Sequence, residues 1–180
     1  MHAPGYDYTV PPMVSVFTKG LGWMGTDISS GMPVSAAFES ADRAVYFPII
    51  LPAACVVRRL WWANGATVSA TYNIDCGIYA DSGYGPGTRL VSTGSTAQGT
   101  ASEVQFVDVA DTALAPGLYW IAITCSSTSA TLFRNQTSAA YEASLRLIEA
   151  AALPLPATAT PVESIGANFY LCGFATTASP

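Results

Sequence analysis

The chain has 180 residues, 11% of them charged and 51% hydrophobic, with 7 basic side chains against 12 acidic ones and a net charge of −5. That length bounds it to one domain, or one domain with an arm, and leaves enough chain to bury a core. A charged fraction under half the usual level, with a mean hydropathy of +0.35, excludes a disordered tail and argues that partners cover much of the surface. Lys19 and six scattered arginines form no basic stripe, which excludes nucleic acid as a partner.

The first 42 residues mix Gly, Pro and Ser with isolated large apolar residues, among them Tyr6, Tyr8, Phe17, Trp23 and Met24. Such a segment hardly folds alone, yet it is too aromatic for an idle linker, so it is expected to be an extended docking arm that orders against a partner. The body is then expected to span residues 43–180. The opening MHAPGYDYTVPP has no basic region followed by an apolar core, so no secretory signal is expected and synthesis is placed in a cytoplasm.

From residue 44 onward, short β-rich runs alternate with Gly, Pro, Asn and Ser clusters, at 44–51, 55–63, 67–80, 88–93, 103–109, 117–125, 130–134 and 168–174. These predict an all-β, antiparallel sandwich of about eight strands with jelly-roll or Greek-key connections. Asn64-Gly65 predicts a two-residue hairpin between the second and third runs. In NIDCGIY, Ile74, Cys76 and Ile78 share one face and Asn73 and Asp75 the other, predicting one buried and one solvated side. DSGYGPG, 81–87, predicts a loop in which Tyr79 and Tyr84 are candidates for recognition.

LAPGLY, with Leu114, Pro116, Gly117 and Tyr119, has the form of a tyrosine corner, a marker of Greek-key folds and not of activity. In LYWIAITC both faces are apolar, so this strand is expected to be central and covered on both sides. YEASLRLIEAAA, 141–152, fits a short surface helix, although SLRLIE fits an edge strand as well. LPLPATATP is too rich in proline for ladder hydrogen bonds and is expected to run extended over the surface.

No apolar run is long enough to cross a bilayer: 44–57 carries Pro48 and Pro52, and 112–133 is interrupted by Pro-Gly and a Ser/Thr cluster. His2 is the single histidine, so neither a serine nor a cysteine nucleophile has a base to activate it. Cys55, Cys76, Cys125 and Cys172 lie far apart without a CxxC pair, which predicts neither metal nor redox centre but free thiols, Cys76 and Cys125 among them buried. Asp75 with Asp81, and Asp108 with Asp111, are the carboxylate pairs able to flank a glycosidic bond; each sits where solvated or turn-capping aspartates belong. No catalytic residue, metal or cofactor is therefore expected. Of Trp61-Trp62, adjacent on a strand, one ring is expected in the core, and the other is left for a ligand or subunit contact. Arg58-Arg59 are expected to make strand-end salt links.

The succession DRAVYFPIILPAACVVRRLWWANGATVSATYNIDCGIYADSGYGPGTRLVSTGSTAQ, followed by DTALAPGLYWIAI, ALPLPATATP and FYLCGF, covers residues 42–174. Phrase by phrase it resembles small β-sandwich virion structural proteins of tailed bacteriophages. The GYGPG expansion at 83–87 and the N-terminal arm have no counterpart in that pattern. The resemblance implies a non-enzymatic capsid-associated decoration or head-fibre protein, or a neck or tail appendage, assembled in the host cytoplasm and carried on the virion. Its implied partners are the major capsid or neck and tail proteins, further copies of itself, with a trimer or larger ring expected, and a host surface glycan if the role is adhesive. A free carbohydrate-binding module is the reading from outside viruses.

Overall fold

The computed structural model describes residues 21–23, 34–136, 146–150, 152–163 and 168–176. In chain order the strands are β1 (Leu21–Trp23), β2 (Val34–Ala37), β3 (Ala44–Leu51), β4 (Cys55–Ala63), β5 (Asn73–Asp81), β6 (Pro86–Ser92) and β7 (Thr96–Ala97). They continue as β8 (Val104–Leu114), β9 (Gly117–Cys125), β10 (Thr131–Gln136), β11 (Leu147–Glu149), β12 (Val162–Glu163), β13 (Asn168–Tyr170) and β14 (Cys172–Ala175). These form three antiparallel sheets, in the orders β12-β11-β3-β9-β5-β6 with β7 beside β5, β1-β14-β4-β8, and β13-β10-β2. The protein is an antiparallel β-sandwich. Beyond the expected strands, the additions are short pieces that pair by long-range contact and carry little signal of their own.

The main core lies between the sheets. Val45, Phe47 and Ile49 of β3, Ile74, Cys76 and Ile78 of β5, and Ile121, Ile123 and Cys125 of β9 face Leu60 and Trp62 of β4 and Cys172 and Phe174 of β14. Tyr119 donates from Oη to the Ala115 carbonyl at 3.0 Å, so the LAPGLY motif makes its corner where the chain passes from β8 in one sheet to β9 in the other.

Asn64-Gly65 makes no hairpin. The next strand, β5, joins the other sheet, so the chain crosses the sandwich here. Asn64 is fully buried and its Nδ2 donates to the carbonyls of Gln98 (2.7 Å) and Thr100 (2.9 Å). Gly65 is required for space, since a Cβ there would lie 2.3 Å from Ser35 Oγ and 2.5 Å from Thr131 Oγ1. Both tryptophans before it are buried, so Trp61 is no exposed platform: it is 8% exposed and its Nε1 donates to the Phe174 carbonyl at 3.3 Å.

The outer face of β5 and β9 is not solvated either. Residues 152–160 cross it as a strap, and Ala152, Leu155 and Ala159 close over Ala44, Tyr46, Tyr79, Trp120 and Ala122 as a second apolar cluster. Polar groups anchor the strap: Asp75 accepts from Leu155 N–H (2.9 Å), Tyr79 Oη donates to the Pro156 carbonyl (2.7 Å), and Ala159 N–H donates to the Gly87 carbonyl (2.9 Å). LPLPATATP therefore does run over a sheet face, but as structural filling whose Leu155 and Ala159 are buried. The helix expected over 141–152 is absent where described, because Leu147–Glu149 pairs with β3 as a strand; residues 141–145 lie outside the described residues.

Asp75, expected on a solvated face, is fully buried beneath the strap. Burial raises its carboxyl above the ordinary 3.8, outweighing the hydrogen bonds from Leu155 and Thr93 and the pull of Arg89. The native state therefore holds this proton more tightly than the unfolded chain, and Asp75 costs stability as pH rises from 3.8 through its raised native value. In paired pH series of thermal melts, the stability of wild type relative to Asp75→Asn is expected to improve as pH falls through that window. A relative stability that worsens on acidification contradicts this account.

Candidate functional site

Of the residues expected in the arm, Tyr6, Tyr8, Phe17 and Met24 lie outside the described residues, and Trp23 is described only as backbone at the end of β1. Two pieces of the expected arm belong to the sheets: β1 pairs with β14, and β2 pairs with β10, placing Phe38 in the core. Of the two recognition candidates, Tyr79 is fully buried beneath the strap, its ring edge-on to Tyr46 with centroids 5.3 Å apart. Burial pushes both phenols upward, so they remain neutral hydrogen-bonding groups.

Tyr84 stands fully exposed at the tip of a well-tied turn. Ser82 N–H donates to the Gly85 carbonyl (2.8 Å), and Gly83 N–H donates to Asp81 Oδ2 (3.0 Å). Asp81 Oδ1 accepts from Trp120 Nε1 at 2.8 Å. Gly83 sits at φ +88°, a conformation that glycine adopts without cost.

The strand registers bring this turn to one end of the molecule together with features far away in sequence. Ile50 of β3 lies opposite Leu118 of β9, and Ala80 of β5 lies opposite Tyr119. The β3–β4 turn and the tyrosine corner project just beyond, because Cys55 pairs with Leu114. Ile50 is 65% and Leu118 41% exposed, and around them Pro52, Ala53, Ala54 and Pro116 are also exposed. None of these six side chains carries a charge. Leu21 pairs with Ala175, which pairs with Arg59, so the start of β1 and the end of β14 are the ends of those strands nearer this pole. An exposed apolar patch rimmed by polar groups is the usual form of a docking surface. The contributing phrases, IILPAA and LAPGL, are unremarkable singly; only the pairing of β3 with β9 joins them.

Several of the other charged groups are engaged within the fold. Arg59 pairs with Asp108, and Arg58 lies 3.4 Å from Asp111, so the acid pairs considered for glycosidic chemistry are bound separately. At the opposite pole Glu39 binds the buried Arg146 and accepts from Asn168 Nδ2 at 3.0 Å, tying the turn before β3 to β11 and β13. The four cysteines are free thiols, and burial pushes Cys125 up to about 11, away from the thiolate a nucleophile needs. Among the described residues no three His, Cys, Asp or Glu side chains gather as a metal site. No protein-family model matches the sequence, and no curated protein matches it.

Proposed function

We propose that the chain is a non-enzymatic virion structural protein of a tailed bacteriophage, a capsid-associated decoration or head-fibre protein that docks through its apolar pole and its N-terminal segment. The observation that carries the docking role is the exposed, uncharged pole of Ile50, Pro52 and Leu118. The phage assignment is supported by the resemblance over residues 42–174, to which the sandwich and its tyrosine corner conform. A structural role also suits a sequence with few charges, since interfaces cover much of such a subunit.

The test is incorporation into particles lacking the protein. The double substitution Ile50→Asp with Leu118→Asp changes only exposed side chains, so the sandwich is expected to fold with unaltered far-ultraviolet dichroism and to lose most particle binding. Normal incorporation of that folded variant overturns the docking role of the pole. A cut at residue 20 is the appropriate arm truncation, because removing residues 34–40 takes away β2 and Phe38.

One observation favours a second reading, a neck or tail receptor-binding role: the complete exposure of Tyr84 on its tied turn. Under that reading Tyr84→Ala weakens host adsorption while particles assemble normally. Glycan binding through Trp61 or Trp62 has no support, as both rings are buried.

A further inference from the structure

Strand β8 is the longest in the molecule and lies at the end of its sheet, paired on one side with β4 and, among the described residues, with no strand on the other. The Glu103 carbonyl accepts from Asn64 N–H at 2.9 Å, and the pairing runs without a break from Val104 opposite Ala63 to Asp108 opposite Arg59. In an antiparallel pair both backbone groups of a residue point the same way, and direction alternates along the strand. Residues 103, 105 and 107 therefore face β4, and Val104, Phe106 and Asp108 turn their N–H and C=O groups to the open edge. The Phe106 carbonyl meets only the Gln105 side-chain amide there, at 3.3 Å.

The side chains along this edge suit another strand. Val104 is 48% and Phe106 39% exposed on the outer face, while Val107 and Val109 on the inner face are only partly covered by the core. Natural edges are usually short, charged or covered by a loop. Here the acids of the strand itself are paired, Asp108 with Arg59, whose guanidinium also lies 5.7 Å from the Phe106 ring centre, and Asp111 with Arg58, while Glu103 just before the strand is exposed.

We infer that β8 pairs with β8 of a second copy of the chain, antiparallel about a twofold axis, joining two four-stranded sheets into one. Two identical strands in that arrangement satisfy both open edges at once and bring Val104 and Phe106 of each copy together. Because both acids of β8 are paired with arginines of β4, two chains of net charge −5 meet along this strand without an unpaired acid of one β8 facing another. Such pairing closes at two copies, where a trimer or larger ring was expected. It stands independently of the virion assignment.

The test uses the full chain in a concentration series of light scattering, with amide hydrogen exchange followed by NMR. A dimer is expected whose formation slows exchange at Val104, Phe106 and Asp108. Phe106→Pro deletes one outward N–H at an edge position where proline is tolerated, and is expected to weaken the dimer at least about tenfold. Val104→Lys, which keeps every backbone group, is expected to do the same and serves if the proline variant fails to fold. A monomer at all concentrations overturns the inference, as does any oligomer indifferent to both variants whose three amides exchange freely.

Discussion

Trp62→Ala is expected to destabilise the protein by about 3–5 kcal/mol, a large part of the ~5–15 kcal/mol that holds a typical domain folded. The indole is fully buried between the sheets, so its removal leaves a cavity where β4 faces β5 and β9. It also leaves Asn64 Oδ1 without its donor, because Trp62 Nε1 donates to it (2.9 Å) as well as to the Gln98 carbonyl (3.1 Å), which keeps the bond from Asn64 Nδ2. Asn64 in turn fixes residues 98–100, the segment leading into β8. Trp62→Phe retains most of the packing but not the hydrogen bonds and is expected to lose only about 1–2 kcal/mol. Urea unfolding checks both: the midpoints should fall in that order with similar slopes. Equal losses would mean that the polar network, not the ring, carries the effect.

Leu155→Ala is the second large expectation, a fall in Tm of roughly 5–15 °C. Leu155 is the central apolar side chain of the strap and is almost completely buried. It lies against Gly77, where a Cβ would sit 3.0 Å from its Cδ1. Because the backbone on both sides is tied to Asp75 and Tyr79, the strap cannot sink to refill the gap. A melting temperature within about 2 °C of wild type would show instead that the strap collapses onto the sheet.

These two residues mark what was legible in the sequence. Alternation in NIDCGIY placed Ile74, Cys76 and Ile78 in the core, the doubly apolar LYWIAITC marked β9 as covered on both sides, and LAPGLY located the crossover. Each is a local pattern. The second cluster was illegible because its lid comes from residues 152–159, some 75 positions beyond Asp75 and Tyr79, and proline-rich segments read as surface coil. The same gap misassigned Tyr79 as a recognition residue. Asn64-Gly65 misled for a related reason: its hairpin signal was outweighed by a buried network with Gln98 and Thr100. The apolar pole was invisible because no single phrase contains it.

The pairing of β1 with β14 has a consequence for biosynthesis. Residues 21–23 meet their partners only at 173–175, near the opposite end of the chain. At about 5–20 residues per second, ribosomal synthesis leaves that first strand waiting roughly 10–30 s. The outer aromatic face of β3, β5 and β9 is complete only when β9 has been made and then stays bare until residues 152–159 emerge. The nascent sandwich therefore carries an uncovered apolar face between the synthesis of β9 and that of the strap, an interval in which a holding chaperone has the most to protect.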